Sequence, residues 1–109
     1  MEISKNMVAA SARPLVLSIL ARGESYGYEV LQNVRILSGG DIEWTDGMLY
    51  PVLHRLERDG LLHCEWRQAD TGRRRKYYSL TDAGHEALAQ EKAQWLAVHS
   101  TLERLWKPA

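Results

Sequence analysis

The chain has 109 residues, of which 45% are hydrophobic and 26% are charged, and 14 Lys and Arg balance 14 Asp and Glu. These fractions are typical of one globular domain and exclude a disordered or low-complexity chain. The longest apolar run, Leu15 to Ala21, is far shorter than the ~20 residues of a membrane span, and we expect no signal peptide. The single cysteine, Cys64, fits a reducing cytosol, so a cytoplasmic location is expected.

Two helices are predicted in the first 40 residues. The first carries apolar residues at helical spacing and stops at Gly23; they are Leu15, Val16, Ile19 and Leu20. Pro14 leaves its start open, because Pro would kink a longer helix but would fit the first turn of one that begins at Arg13. The second helix takes Ser25 as its N-cap and ends at Gly39 and Gly40. Its predicted buried stripe is Val30, Leu31, Val34 and Leu37.

A third helix and a β-hairpin follow. The helix starts near Thr45 and Asp46 and ends at Gly60, and Pro51 is expected to make its first turn irregular. Its apolar face is Leu49, Val52, Leu53 and Leu56. The next strand alternates between two faces, with Leu62, Cys64 and Trp66 on one and His63, Glu65 and Arg67 on the other. Residues 68–72 have turn composition, and a second strand runs from 73 to 80 with Tyr78 inward.

Three helices followed by a hairpin is the order of a winged helix-turn-helix, so residues 1–80 are expected to form one, in a mainly α (α+β) fold. The remaining residues, 81–109, predict a helix that is capped by Thr81 and Asp82, reaches about Trp106 and is about 36 Å long. A seven-residue repeat on this helix is typical of a seam against a second helix. The expected dimer interface is therefore Leu88, Trp95, Leu102 and Leu105.

Four consecutive basic residues form the strongest local feature: Arg73, Arg74, Arg75 and Lys76. Between residues 54 and 78, seven Lys and Arg face four Asp and Glu, a local charge of +3 in a chain of net charge zero. Alternation along a strand predicts that the four bases do not all face one ligand. Taken alone, the run fits a solvated edge strand protected by charge equally well.

The outer face of the third helix favours DNA binding over that alternative. This face carries small residues and hydrogen-bond donors: Gly47, Tyr50, Pro51, His54, Arg55 and Arg58. Small residues permit a groove wall to approach closely, and Tyr, His and Arg donate to phosphates and base edges. A basic wing beside such a helix is typical of a helix that enters the major groove. An ordinary solvated helix is the alternative interpretation.

Three segments resemble the PadR family of bacterial transcriptional regulators: Tyr26–Glu29, Gly47–Leu61 and Gly72–Thr81. They occur in the family's order and spacing, and the single C-terminal helix resembles the small subgroup, including its multidrug-binding-like branch. The resemblance implies a homodimer that binds a palindromic double-stranded operator, usually as a repressor. It also implies DNA contacts from Tyr26 and Tyr28, the third helix and the wing. The family usually has Thr where this chain has Met48, so one hydroxyl able to contact phosphate is missing.

In the small subgroup, a Trp at the position of Trp95 lines a cavity at the dimer centre with its symmetry mate and stacks planar aromatic compounds. The resemblance implies the same role here. Further wall residues that it implies are Met7, Pro14, Val98 and His99. His99 departs from a relative that carries an acid there to attract cations. A large aromatic on a helix seam is equally often plain core, so an interface without a pocket is the alternative.

No metal ion, cofactor or catalytic site is predicted. His63 and Glu65 share a strand face from which Cys64 points away, whereas zinc takes about four close ligands. No Ser/His/Asp arrangement or phosphate-binding glycine loop stands out, so we expect no enzyme. The sequence predicts a dimeric repressor whose DNA affinity is lowered by a small hydrophobic or aromatic effector. The alternatives are a repressor without an effector and a coiled-coil adaptor for other proteins.

Overall fold

A computed structural model describes residues 1–108, which form four helices and a small antiparallel sheet. In chain order the elements are α1 (Lys5–Ala21), β1 (Ser25–Tyr26), α2 (Gly27–Leu37), α3 (Asp46–Arg58), β2 (Leu62–Gln68), β3 (Arg74–Leu80) and α4 (Asp82–Trp106). We call the β2–β3 hairpin the wing. The predicted winged helix-turn-helix of α+β class, with its two-stranded wing and long C-terminal helix, is confirmed.

The structure decides where α1 begins, which the sequence left open, and it corrects the predicted start of α2. Ser4 accepts a hydrogen bond from the Met7 backbone N–H at 3.3 Å, so α1 begins at Lys5 and contains Pro14. The predicted N-cap of α2, Ser25, is wrong, because Ser25 lies in β1 and pairs with β3. Tyr26 caps α2 instead, and its backbone N–H donates to the Glu29 carboxylate at 3.3 Å.

The core lies between α1, α2, α3 and the sheet. Its most completely buried side chains are Val16, Leu17, Val30, Leu49, Leu53, Leu56 and Tyr78, so the apolar faces predicted for α1 and α3 pack inward. Leu37 is an exception to the stripe predicted on α2, since 59% of it is exposed. It lies in the last turn of α2, where α1 and α2 leave an open groove between Ile19 and Ile42.

The sheet has the order β1-β3-β2. In the wing, Leu62 pairs with Leu80, Cys64 with Tyr78 and Trp66 with Lys76. Burial along β2 falls from the buried Leu62 to the half-buried Cys64, and Trp66 on the same face is 57% exposed. The hairpin therefore runs past the core before it turns.

Only the first turns of α4 pack on the domain. A Cβ at Gly84 would lie 2.2 Å from the Leu61 carbonyl oxygen, so glycine permits this close approach. Further along, Leu88 packs against the core, and Glu91 accepts a 3.1 Å hydrogen bond from Arg13 in α1. From Lys92 to Trp106 every side chain is exposed. More than half of α4 therefore projects from the domain, and the molecule is 60 Å long.

Candidate nucleic-acid interface

A cleft of about 630 Å³ lies between the start of α2, the outer face of α3 and the wing. Of the twelve residues predicted to contact DNA, eight line this cleft: Tyr26, Tyr28, Tyr50, His54, Arg73, Arg74, Arg75 and Lys76. The other four are exposed on α3 outside its lining: Gly47, Pro51, Arg55 and Arg58. The cleft thus brings together three segments that are far apart in the sequence.

Gly27 makes room for the Tyr50 side chain at the floor of the cleft. A Cβ at this position would lie 2.5 Å from the Tyr50 hydroxyl oxygen, well inside van der Waals contact. Because Gly27 has no side chain, the Tyr50 ring can lie against the start of α2. The Tyr50 and His54 rings follow one another along α3 with centroids 6.2 Å apart, so both present polar atoms to the same side.

Two arginines of the basic run at residues 73–76 lie over aromatic rings. The Arg75 guanidinium is 4.4 Å from the centroid of Tyr26, which itself meets Tyr77 edge to face at 5.5 Å. The Arg74 guanidinium is 5.1 Å from the centroid of Trp66. Such cation–π contacts restrict a long side chain to fewer rotamers while leaving its N–H groups able to donate. The wing therefore holds part of its positive charge in fixed positions.

All four bases of the run at residues 73–76 contribute to the lining of this cleft. Their backbone positions do alternate between the two sheet faces. However, β1 pairs only with Tyr77 and Tyr78 and leaves β3 with a free edge at residues 74–76. Arginine and lysine side chains are long enough to extend past such an open strand edge.

Lys76 differs from the arginines because it already has an acidic partner. Its Nζ donates to Glu57 Oε2 at 3.1 Å, which joins the base of the wing to α3. Burial raises the pKa of Glu57, but the Cys64 thiol and the Lys76 ammonium lower it more, so the pKa lies below its ordinary value. Sequence reasoning missed Glu57, since nothing in its spacing indicates a partner 19 residues away.

The position of Cys64 beside Glu57 makes its thiol unreactive. Burial, together with the neighbouring Glu57 carboxylate, raises the pKa of the thiol to about 11. A thiol that stays protonated at neutral pH is a poor nucleophile.

Arg67 adds little free positive charge to the surface. It donates to Glu24 and, at 2.8 Å, to Glu65, and its hydrogen bond holds the pKa of Glu24 below the ordinary value. With Arg67 neutralised in this way and Lys76 paired, the unpaired positive charge of the wing is concentrated at Arg73, Arg74 and Arg75.

The comparisons with known proteins agree with this geometry. A model of the "Transcriptional regulator PadR-like family" matches residues 16–90. The chain belongs to the PadR-like family. It is 41% identical over 83 residues to the transcriptional regulator Rv3488 of Mycobacterium tuberculosis, a match that covers 76% of this chain and 74% of that protein.

Solved structures of regulators match this PadR-like chain over nearly its whole length. A transcriptional regulator from Clostridium thermocellum, Cth-833, superposes with a TM-score of 0.86 at 28% identity and covers 96% of this chain and 99% of its own. A PadR-like regulator from Bacillus cereus, BC4206, gives 0.83 at 28% identity, covering 96% and 100%. These relatives are transcriptional regulators, so this PadR-like chain is a regulator as well.

The residues predicted to bind an effector lie on α1 and α4 of this PadR-like regulator. Met7 and Val98 are largely exposed, Trp95 is 37% exposed and Pro14 is half-buried. His99 Nε2 is 3.1 Å from the Glu103 carboxylate, so an acid does lie near this position. Of the predicted dimer residues, Trp95, Leu102 and Leu105 are exposed, whereas Leu88 packs partly against the core of its own chain.

In the part of the PadR-like chain that the structure describes, neither a group of metal ligands nor a membrane-spanning helix is present. Within residues 1–108, no three His, Cys, Asp or Glu side chains are grouped so that they would hold a metal ion. None of the helices in that same range has both the length and the apolar character of a membrane span.

Proposed function

We propose that this chain is a homodimeric repressor that binds double-stranded operator DNA, with α3 in the major groove and the wing along the backbone. The observation that supports this function best is the convergence of eight predicted contact residues on one cleft. Their chemistry suits DNA, because guanidinium groups pair with phosphates and the side chains of α3 reach base edges.

The two groups of residues have different roles in this proposal. The wing arginines supply affinity that is independent of sequence, since phosphates are the same at every base pair. His54, Arg55 and Arg58 on α3 supply sequence preference, because base edges in the major groove differ between base pairs.

The direct test is an electrophoretic shift with the DNA upstream of the chain's own gene, against a random duplex of equal length. We expect tighter binding to the upstream DNA. His54→Ala or Arg58→Ala should relax the preference by ~1–3 kcal/mol for each lost base contact. Arg35→Ala is the matched control, because Arg35 lies on α2 outside the cleft lining. Equal affinity of the wild type for both duplexes would contradict an operator-specific repressor.

Dimerisation through residues 81–109 is part of the same proposal. A palindromic operator presents two half-sites about 34 Å apart, so two copies of α3 must be held at that separation. The exposed apolar side chains of α4 support this role.

We further propose that a small hydrophobic or aromatic effector binds between the two copies and lowers DNA affinity by favouring another separation of the α3 helices. The exposed indole of Trp95 supports this, since a flat ring suits stacking of planar ligands. Trp95→Ala should abolish binding of a planar dye and leave the dimer intact. A weakened dimer would instead identify Trp95 as packed core. If the wild-type dimer binds neither a cationic nor a neutral dye, the result would contradict the effector site and favour a repressor without an effector.

A further inference from the structure

Trp66 is an exposed aromatic side chain on the sheet face that packs inward at the base of the wing. Leu62 and Tyr78 on this face are buried, yet Trp66 is 57% exposed and lines the cleft. It lies on β2, and no residue of α4 lines the same cleft.

The wing places Trp66 beside a basic side chain. Trp66 pairs across the hairpin with Lys76, and the Arg74 guanidinium lies 5.1 Å from its ring centroid. Lys76 donates to Glu57, which leaves Arg74 as the cation at this point with N–H groups available to an anion. A flat apolar surface and a guanidinium therefore lie side by side at the rim of the cleft.

We propose that Trp66 and Arg74 form a joint contact for the DNA backbone, in which the indole packs on a deoxyribose ring and the guanidinium binds the adjoining phosphate. The proposal rests on the DNA-binding function above. The ring keeps Arg74 in place before DNA arrives, so less side-chain entropy is lost on binding. Because sugar and phosphate are the same at every base pair, this contact adds affinity without sequence preference.

Affinities of Trp66→Ala and Trp66→Phe for the upstream DNA and for a random duplex test the proposal. We expect Trp66→Ala to bind both duplexes about tenfold more weakly, and Trp66→Phe to recover part of the loss. The slope of log affinity against log salt should stay as in the wild type for both variants, whereas Arg74→Ala should flatten it by about 0.9. Ile36→Ala is the control, because Ile36 is a 70% exposed apolar residue outside the cleft lining.

Acrylamide quenching provides a second readout, which reports on the tryptophan side chains directly rather than on affinity. DNA should protect part of the wild-type tryptophan emission from acrylamide, and this protection should be lost in Trp66→Phe. Wild-type affinity of Trp66→Ala, a loss confined to one duplex, or unchanged protection in Trp66→Phe would each overturn the joint contact. Failure of the wild type to bind any duplex would instead contradict the proposed function itself.

Discussion

Gly27 and Tyr50 lie in contact at the floor of the cleft, so a side chain added at Gly27 should displace the Tyr50 hydroxyl. Gly27→Ala places a Cβ that the Tyr50 hydroxyl must avoid, since the present separation would be 2.5 Å. Because the end of a flexible side chain moves easily, we expect little change in the free energy of unfolding. Duplex affinity should fall about two- to tenfold, the size of one displaced hydrogen bond. Thermal melts and gel shifts measure the two effects.

Tyr50→Phe provides the control for this prediction. If Gly27→Ala acts through the Tyr50 hydroxyl, its effect on affinity should nearly vanish in the Tyr50→Phe background. Additive losses in the double variant would show that Gly27 acts in another way.

The buried Tyr78 and the half-buried Cys64 make the free energy of unfolding sensitive to alkaline pH. Burial raises the pKa of Tyr78 to about 12 and that of Cys64 to about 11, from 10.0 and 9.0. Because these groups lose their protons more readily in the unfolded chain, their stabilising contribution is complete below pH 9 and is lost between about pH 9 and 12. Urea midpoints should fall over this range, and Cys64→Ala should reduce the fall. A midpoint that is unchanged between pH 8.5 and 11 would contradict these shifts.

Native Cys64 should also resist alkylation. At pH 8.5 we expect iodoacetamide to react with the folded protein at least about tenfold more slowly than with the urea-unfolded chain, because only the thiolate reacts. Equal rates would show that the thiol is not held in its protonated form by the fold.

Within the wing, the arginines and Lys76 should contribute differently to the salt dependence of DNA affinity. Replacing Arg73 and Arg74 with Ala should flatten the slope of log affinity against log salt by roughly two units, if each binds one phosphate. Lys76→Ala should flatten it less than either single arginine variant, because Lys76 is paired with Glu57. The losses for the arginines should be the same on all sequences. An unchanged salt slope in the double variant would show that the wing does not contact DNA phosphates.

Local patterns predicted most elements of the fold. Apolar spacing placed α2, α3 and α4 and the faces of α1 and α3, and alternation placed both wing strands. The two-residue strand β1 has no period to detect, and its partners Tyr77 and Tyr78 lie about fifty residues further along the chain. The N-cap at Ser25 was wrong for this reason.

The candidate site was predicted from motifs, but its internal contacts were not. Residue types and order indicated which side chains are candidates for DNA contacts. The pairing of Lys76 with Glu57 and the exposure of Trp66 depend on where α3 ends relative to the hairpin. Such relations are set by packing between elements, and no local pattern encodes them.

On the scale of the whole molecule, the projecting half of α4 predicts the oligomeric state. Leu102 and Leu105 lie uncovered on it, and burying each could contribute ~1.5–3 kcal/mol to a dimer. Leu102→Glu should therefore give monomers and abolish operator binding, because one half-site offers too little contact. Light scattering measures the mass. Ser100→Glu, off the seven-residue repeat on the same segment, should remain dimeric. A monomeric wild type at micromolar concentration would contradict the seam.

The zero net charge of the chain conceals a separation of charge. Residues 54–78 carry +3, so the rest of the chain carries −3. Arg73, Arg74 and Arg75 lie together on the wing, so the field of a polyanion acts on this side of the molecule before any contact is made. Approaching duplex DNA, the molecule should therefore turn its wing toward the DNA. Encounters would therefore begin with the cleft already facing the DNA, although the protein as a whole feels no net attraction at long range.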